Sequence, residues 1–392
     1  MSAVNTSGTF VARHYRTEEA FSFAIAEGRY VSIEPLKEKA PEAPLLAPGL
    51  VDLQINGFGG VDFNRAEGLT PERWKQACRV LLAHGCTAFL ATLITHSADE
   101  TDALLALLAA RISETPFNCI GIHLEGPFLN PDPGTRGAHD PARMIPADEA
   151  LFARWQKTAG GRIRLITLAP EIAPELSLPF IRARVAEGVR ISIGHSLAMG
   201  DVLREAVAAG ASCWTHLGNA MPRQVDKFDN VILHALAEEN LFASLIPDGA
   251  HLPRHAFRAL ARALGPRLLL TTDAMAGAGM LPPAPSAEPA TVTLGYQTVA
   301  LDERGCAVLP GSRRLAGSTL LPFSGVFTAA TLSGLPWADC WDAFSLRPAQ
   351  WIGHDARVKV GNRADFALFR FDAEGGMGQY DICQQGKSFR DS

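Results

Sequence analysis

Six β-rich runs of this chain end in side chains that could take part in catalysis. They end in Gln54 and Asn56, Glu125, His195, His216, Asp248 with His251, and Asp273. One carboxylate and two imidazoles, from Glu125, His195 and His216, suit a divalent ion such as Zn²⁺ with one position open for water. Such an ion lowers the pKa of its water, and Asp273 is placed to take the proton and return it to a leaving amine. The set predicts metal-assisted hydrolysis of an amide or a related bond.

Each of these residues taken alone has a structural explanation, because a single Asp or His after a strand commonly caps a helix or is a satisfied polar group. Their recurrence at the same end of several strands favours the catalytic interpretation. His123 is predicted to be structural, because it lies two residues before Glu125, on the same face of the strand but one layer deeper. A non-catalytic scaffold is the alternative, and retention of all four metal-binding and proton-transfer candidates argues against it.

The elements that must position these residues alternate between strands and helices. The β-rich runs cover residues 50–55, 88–94, 119–124, 163–168, 189–193, 212–215, 242–246 and 268–272. The amphipathic stretches cover residues 71–84, 98–114, 148–158, 178–187, 200–209, 231–239 and 254–264. This alternation predicts an α/β fold with a (β/α)8 TIM-like barrel, whose catalytic groups come from the C-terminal strand ends. A doubly wound sheet is the alternative, but no Gly-x-Gly-x-x-Gly fingerprint is present.

The two ends of the chain carry shorter patterns. Residues 8–46 alternate apolar and polar in short runs broken by glycine and proline, which is typical of a small β segment. We therefore expect residues 1–47 and 353–392 to form one small β-sandwich domain beside a barrel domain of residues 48–352. The elements predicted after residue 273 are two or three strands in 291–309, helices in 323–332 and 337–351, and a turn followed by a strand in 358–371.

Composition excludes several functional classes. The 392 residues include 47% hydrophobic and 20% charged side chains, with a net charge of −5. These values are typical of a globular enzyme and give no indication of a nucleic-acid or membrane-surface partner. The seven cysteines form no Cys-x-x-Cys pair, and no signal-peptide stretch opens the chain. A cytoplasmic protein with reduced thiols is therefore expected.

At these residues the chain resembles the amidohydrolase superfamily, and within it the branch that deacetylates N-acetylglucosamine 6-phosphate. The similarity runs in order over nearly the whole chain, and the Glu-Gly-Pro-Phe and Asn-Ala-Met segments are the most specific to this branch. The matching segments are Pro48-Gly49-Leu50-Val51-Asp52, Asn56-Gly57-Phe58-Gly59-Gly60, His123-Leu124-Glu125-Gly126-Pro127-Phe128, Gly137-Ala138-His139, Gly194-His195-Ser196, Thr215-His216-Leu217, Asn219-Ala220-Met221-Pro222, Asp248-Gly249-Ala250-His251, Thr272-Asp273-Ala274-Met275 and Gly317-Ser318-Thr319.

The resemblance implies a role for each site residue. Glu125, His195 and His216 would bind one divalent metal, and Asp273 would be the general base and then the acid. His251 would polarise the acetamide carbonyl and stabilise charge in the transition state. The sugar would be held by His139, Asn219 and, through its backbone, Ala220, with Leu315, Ala316 and Gly317 lining the pocket. The resemblance also implies a homodimer, with the neighbouring subunit reaching the phosphate end of the substrate.

Two departures from the family pattern qualify these implications. Many amidohydrolases carry His-x-His at strand 1 for a second metal, where this chain has Gln54 and Asn56. An amide is a poor ligand beside imidazole, so we expect one metal per subunit, preferably zinc, with iron, cobalt and manganese as alternatives. The second departure is Lys227, where the family usually has a phosphate-binding arginine. Lysine keeps the charge but loses the bidentate fork, and Arg223 or Arg136 are candidates to compensate.

The Lys227 segment leaves alternatives open. Solvated surface charge is as good an explanation of Lys227 and Arg223 as phosphate binding. The substrate is therefore expected to be N-acetylglucosamine 6-phosphate or, alternatively, an unphosphorylated or galacto-configured N-acetyl sugar or another N-acyl amine. A deaminase or cyclic amidase of the same superfamily is the further alternative, and the Asn-Ala-Met segment and the missing His-x-His argue against it.

Overall fold

An eight-stranded parallel sheet forms the centre of the computed structural model, which describes residues 8–114, 118–280, 290–302, 306–311, 314–372 and 377–389. The strands are β1 (Gly8–His14), β2 (Ala20–Ala26), β3 (Arg29–Pro35), β4 (Leu45–Pro48), β5 (Leu50–Ile55), β6 (Gly57–Phe58), β7 (Val61–Asp62), β8 (Cys86–Leu93), β9 (Cys119–Glu125), β10 (Ile163–Leu168), β11 (Arg190–Ile193), β12 (Cys213–Trp214), β13 (Phe242–Leu245), β14 (Leu268–Leu270), β15 (Thr291–Leu294), β16 (Gln297–Leu301), β17 (Ala307–Val308), β18 (Phe366–Phe371), β19 (Met377–Gln384) and β20 (Lys387–Phe389).

Ten α-helices are found in the described residues. They are α1 (Pro71–Ala83), α2 (Ala98–Glu114), α3 (Glu149–Thr158), α4 (Pro174–Ala186), α5 (Gly200–Ala209), α6 (Val231–Ala237), α7 (Arg254–Leu264), α8 (Pro322–Ser333), α9 (Trp337–Phe344) and α10 (Leu346–Ile352). Several begin at a residue whose side chain satisfies a free backbone N–H, as Thr70 does for α1 and Asp148 for α3. Within the described residues, no helix combines the length and apolar character needed to span a lipid bilayer.

The central sheet confirms the predicted barrel. Its strand order is β14-β13-β12-β11-β10-β9-β8-β5, and a parallel bridge between Ile55 and Ala274 joins its two edges. The buried Asp52 carboxylate strengthens this closure: it accepts hydrogen bonds from Thr271 Oγ1 (2.5 Å), Thr272 N (2.9 Å) and Thr272 Oγ1 (2.6 Å). Every parallel strand therefore directs its C-terminal end toward one mouth.

Two predicted helices differ from those in the structure. Helix α4 begins at Pro174, four residues before the predicted start, and accommodates Pro179 within its length. The stretch predicted as one helix, 337–351, is two helices separated by Ser345, whose φ of −133° and ψ of −83° are not helical. Pro348 explains the break, because a proline ring in a helix clashes with the carbonyl four residues earlier, here that of Phe344.

Strands from both chain ends form a second sheet, as predicted. Its order is β20-β19-β18-β4-β1-β2-β3, with β4 parallel to β1 and antiparallel to β18. The sheet curls on itself, so that Phe10 of β1 and Tyr30 of β3 lie 5.6 and 5.9 Å from Phe366 of β18, measured between ring centroids. The core therefore lies between two halves of one continuous, curled sheet, an arrangement that resembles a β-sandwich.

A three-stranded sheet, β15-β16-β17, confirms the short strands predicted in 291–309. The turn between β15 and β16 lies at the barrel mouth, where Gly295 N donates to Asp62 Oδ2 at 2.8 Å. The next residue, Tyr296, contacts the imidazole of His96 edge-on and the guanidinium of Arg143 across its ring face. These contacts bring Leu294 to the wall of a cavity over the strand ends.

Candidate active site

A cavity of about 510 Å³ opens at the C-terminal ends of the barrel strands. Most of the site residues predicted from the sequence lie on its wall. They are Asn56, Glu125, His139, His195, His216, Asn219, Ala220, His251, Asp273, Leu315, Ala316 and Gly317. Gln54 lies behind this wall and donates from Nε2 to Glu125 Oε1 at 2.7 Å. His123 is buried in the barrel and contacts Thr167 Oγ1 and the Leu53 carbonyl, in line with its predicted structural role.

Glu125, His195 and His216 meet at the floor of the cavity. Glu125 Oε1 lies 2.8 Å from His216 Nε2 and 3.3 Å from His195 Nε2. Burial raises the pKa of the Glu125 carboxyl, but the hydrogen bonds and positive charge offered by the two histidines outweigh burial and bring that pKa well below its ordinary value. Glu125 is therefore a carboxylate, with two imidazole nitrogens beside one of its oxygens.

The surroundings of His195 identify which of its nitrogens is available to a cation. Its Nδ1 lies 2.8 Å from the carbonyl oxygen of Thr135, which can only accept, so Nδ1 carries the proton. When Nε2 is protonated as well, it donates to Glu125 Oε1, and this contact helps to lower the pKa of Glu125; in the neutral imidazole, Nε2 instead presents a lone pair to Oε1. Two acceptors 3.3 Å apart repel each other unless a cation or a proton lies between them. A carbonyl that orients a histidine in this way is the usual support of a metal ligand.

His139 offers the opposite arrangement. Its Nδ1 faces the backbone N–H of Thr95 at 3.3 Å and the Thr95 hydroxyl at 2.8 Å. Nδ1 therefore accepts and Nε2 carries the proton, in a side chain whose pKa is lowered to about 3 by burial and by the charge of His195. Glu125, His139 and His195 offer ligand atoms within 4.8 Å of one another. The donor character of His139 Nε2 nevertheless favours hydrogen bonding to a substrate, which leaves His216 as the better third ligand.

Asp273 lies across the floor and is held by an amide that directly follows β5. Asn56 Nδ2 donates to Asp273 Oδ1 at 2.7 Å. Burial, together with the negative charge of Glu125, raises the pKa of Asp273 well above its ordinary value. The two amides that stand where many amidohydrolases have His-x-His thus each donate to one carboxylate, Gln54 to Glu125 and Asn56 to Asp273. These neutral donors partly offset the negative charge there.

Three floor residues share a strained backbone conformation. His195, His216 and Asp273 have φ values of 49°, 34° and 50°, in the left-handed region that non-glycine residues rarely occupy. Such conformations persist only where surrounding contacts enforce them, and they cluster at functional sites. At Asp273 the enforcing contacts are visible: Ser318 N donates to the Asp273 carbonyl at 2.8 Å, and Ser318 Oγ donates to the Thr272 carbonyl at 2.6 Å.

His251 is held by a carboxylate that received no role from the sequence. Asp248 Oδ2 lies 2.6 Å from His251 Nδ1, and Asp248 Oδ1 accepts from the backbone N–H groups of Ala250 and His251. The i, i+3 spacing in Asp-Gly-Ala-His was visible in the sequence, but only the turn geometry shows that the two side chains meet. Two further supporting groups were also missed. Thr95 directly follows the predicted strand 88–94 but is neither a carboxylate nor an imidazole, and the Thr135 carbonyl lies outside every predicted strand end.

The rim of the cavity differs from the prediction for the distal end of a substrate. Among the described residues, neither Lys227 nor Arg136 lines the cavity, whereas Arg223 and Arg314 do. Asp226 Oδ1 accepts from Phe228 N and Asp229 N, and this turn holds the Lys227 ammonium 5.0 Å from the Phe228 ring centroid. Of the candidates to compensate for the missing arginine, Arg223 is therefore in reach of a bound ligand, and Arg314 joins it from the segment after β17.

Comparison with known proteins shows which family the chain is similar to. The model of the amidohydrolase family matches residues 45–382. N-acetylglucosamine-6-phosphate deacetylase from Bos taurus is 34% identical over 337 residues, covering 83% of this chain and 79% of that protein. N-acetylgalactosamine-6-phosphate deacetylase from Shewanella sp. is 36% identical, covering 82% and 76%. The crystal structure of N-acetyl-D-glucosamine-6-phosphate deacetylase from Mycobacterium smegmatis superposes with a TM-score of 0.80 at 28% identity, covering 94% of this chain and 95% of that one.

Proposed function

The chain belongs to the amidohydrolase family, and from that premise we propose that it deacetylates an N-acetyl amino sugar 6-phosphate, with N-acetylglucosamine 6-phosphate as the preferred substrate. Water cleaves the acetamide C–N bond and yields acetate and the free amino sugar phosphate. One observation carries the proposal: Glu125, His195, His216 and Asp273 line one end of a single cavity, in a chain whose curated relatives are named as deacetylases of such sugars.

Glu125, His195 and His216 fit a single divalent ion. The set offers a carboxylate oxygen and two imidazole nitrogens, and the facing acceptors of His195 and Glu125 favour a cation between them. Bound there, the ion would supply Lewis acidity toward the acyl oxygen and lower the pKa of water. We propose one ion per subunit and zinc as that ion, because nitrogen and oxygen donors suit it; iron, cobalt and manganese suit the same donors.

The remaining residues supply proton transfer and orientation. Asp273 takes the proton of the attacking water and later delivers it to the amine; Asn56 occupies Oδ1, so Oδ2 is the oxygen left for the proton. His251 donates a hydrogen bond to the acetamide oxygen as negative charge develops there. His139 Nε2–H and Asn219 hold sugar hydroxyls, and the backbone of Ala220 and of residues 315–317 forms the facing wall.

A galacto-configured substrate is the second candidate. It is favoured by the Shewanella relative, whose identity to this chain, 36%, is similar to that of the N-acetylglucosamine-6-phosphate deacetylases. The two sugars differ only at one hydroxyl, which a few side chains at the cavity wall can distinguish through hydrogen bonding.

The decisive experiment measures acetate release from N-acetylglucosamine 6-phosphate, its galacto epimer, and N-acetylglucosamine under identical conditions. We expect kcat/KM at least about 10-fold higher for a phosphorylated sugar than for N-acetylglucosamine, because a charged hydrogen bond contributes roughly 1.5–3 kcal/mol. Preference for the galacto epimer would select the second candidate. Release of ammonia instead of acetate from nitrogen-containing ring substrates would indicate a superfamily deaminase and refute the proposal.

We further propose a cytoplasmic homodimer. Six cysteines are buried thiols that form no disulfide, which supports a reducing compartment; they are Cys78, Cys86, Cys119, Cys213, Cys340 and Cys383. Val225 and Phe228 are exposed beside the cavity rim, with 46% and 74% of their surface accessible, and an apolar pair at that position suits contact with a second subunit. Sedimentation of the purified protein at micromolar concentration tests the dimer.

A further inference from the structure

We infer that Asp248 is a positioning residue that keeps His251 in its doubly protonated form, so that Nε2–H of an imidazolium donates to the acyl oxygen of the substrate. This inference rests on the proposed deacetylation and specifies the charge state in which one of its residues works. It concerns a carboxylate that has no predicted catalytic or binding role.

The geometry of Asp248 fixes the direction of its hydrogen bond. Oδ1 accepts from two backbone N–H groups, Ala250 N and His251 N, both at 2.9 Å. These two contacts set the rotation of the carboxylate and aim Oδ2 at His251 Nδ1, 2.6 Å away. A carboxylate oxygen only accepts, so Nδ1 must carry a proton. Burial raises the pKa of Asp248, but the hydrogen bond and positive charge of His251 and the two N–H groups lower it below its ordinary value.

The second nitrogen of His251 then determines the charge. A neutral imidazole has one proton, and with that proton on Nδ1 the Nε2 atom could only accept. A carbonyl oxygen is also an acceptor, so neutral His251 would repel the acetamide oxygen that it is proposed to stabilise. Donation from Nε2 therefore requires the imidazolium, whose charge also strengthens the bond to a developing oxyanion.

Burial makes the pairing with Asp248 effective. The side chains of His251 and Asp248 are 7% and 14% exposed, so their attraction is little screened by solvent. The Glu125 carboxylate, which lines the same cavity, also favours a cation there, whereas the proposed divalent ion and the guanidinium groups of Arg223 and Arg314 oppose it. The other titratable groups on the cavity wall are His139, His195, His216 and Asp273.

A second His–Asp pair provides an internal contrast. His234 Nε2 lies 2.6 Å from Asp229 Oδ1, but His234 Nδ1 faces the backbone N–H of Gly200 at 3.3 Å. One nitrogen therefore donates and the other accepts, and the neutral imidazole satisfies both contacts. Two histidines with the same short carboxylate contact are thus expected to differ in charge.

The test combines histidine NMR with kinetics on zinc-loaded protein labelled with ¹⁵N-histidine. The signals of His251 are identified by their loss in His251→Gln and those of His234 by their loss in His234→Gln. At the pH of maximal activity we expect both nitrogens of His251 to carry protons, whereas His234 carries one, on Nε2.

Asp248→Asn is the informative variant. The amide oxygen keeps the two backbone contacts, so the amide NH₂ faces His251 Nδ1 and forces it to accept. His251 then becomes neutral with its proton on Nε2 and still donates, without charge. We expect kcat about 10-fold lower and KM within about twofold, because a neutral donor binds an oxyanion more weakly than a charged one. Asp148→Asn, which removes one charge at the N-cap of α3, should leave kcat and its pH profile unchanged.

Two results would overturn the inference: a single proton on His251, on Nδ1, throughout the active pH range, or unchanged kcat in folded Asp248→Asn. If that variant does not fold, the wild-type spectrum alone decides. Failure of the proposed function would look different, because no N-acetyl sugar would release acetate, while the protonation state of His251 would still be read from the NMR spectrum.

Discussion

The floor and the rim of the same cavity are built in different ways. Floor residues follow barrel strands and are buried, and partner groups fix the orientation of at least two of them: the Thr135 carbonyl orients His195, and Asn56 orients Asp273. Rim residues such as Arg223 are exposed and belong to loops. The scaffold therefore sets the chemistry, whereas loops that can vary without disturbing the barrel set the choice of substrate.

The largest effect should come from the floor residue that moves protons. Asp273→Asn keeps the size of the side chain and removes its capacity to accept a proton from water. We expect kcat to fall about 10³-fold, within the range ascribed to general acid–base catalysis, while bound metal per subunit is unchanged. Acetate release and metal analysis by atomic emission check both parts, and kcat within 10-fold of wild type would remove Asp273 from proton transfer.

The next comparison separates metal ligands from substrate donors on the floor. His195→Asn should lose most of the bound metal and about 10³-fold in activity, because an amide binds the ion poorly in place of imidazole. His139→Asn should keep the metal and lose about 10- to 100-fold in kcat/KM, because it removes one donor to the substrate. Metal loss in His139→Asn but not in His216→Asn would reverse the ligand assignment.

Substitution of Gln54 measures how much a hydrogen bond to a metal ligand contributes to metal affinity. Gln54→Ala removes the amide donor to Glu125 Oε1 without touching a ligand directly. We expect metal affinity to fall about 10- to 100-fold, the range typical of lost supporting hydrogen bonds at metal sites. Competition with a chromogenic chelator measures the affinity, and Gln54→Glu, which adds a charge beside Glu125, distinguishes hydrogen bonding from simple side-chain loss.

The smallest effects should come from the rim. Arg223→Ala is expected to lower kcat/KM about 10-fold for the phosphorylated sugar and to leave the unphosphorylated sugar unaffected, because one charged hydrogen bond is lost. Lys227→Ala should change either value by less than about twofold, since its ammonium lies outside the cavity beside Phe228. A selective loss in Lys227→Ala would show that the loop moves onto the substrate and would weaken the contrast between floor and rim.

This contrast also explains what the sequence could predict. Strand ends such as Glu125 and His216 were recognisable because parallel strands carry a strong apolar pattern and place their C-terminal ends at one mouth. Arg314 was not recognisable, because no local pattern shows that the segment after β17 returns to the mouth. The placement of Lys227 could not be predicted for a related reason: resemblance to a family motif indicates its order in the chain, but the Asp226 turn determines where its side chain lies.

Two prolines in the sequence also indicate helix boundaries that the apolar periodicity did not predict. Pro348 marked the break between α9 and α10, since its ring excludes a helical carbonyl at Phe344. Pro174 marked the start of α4, because proline is favoured in the first turn of a helix. The strained backbone at His195, His216 and Asp273 could not be predicted, because it results from contacts between elements rather than from local preference.

The shared sheet of the two chain ends has a consequence for synthesis on the ribosome. Strand β4 needs β18 as its antiparallel partner, yet Phe366 follows Leu45 by 321 residues. At about 5–20 residues per second, the apolar edge of β4 waits roughly 16 s to one minute for that partner to emerge. During this interval Leu45, Leu46 and Ala47 form an unpaired strand edge of the kind that associates with other chains. The nascent protein is therefore most exposed to misassembly, and most dependent on chaperone protection, while its barrel is still being made.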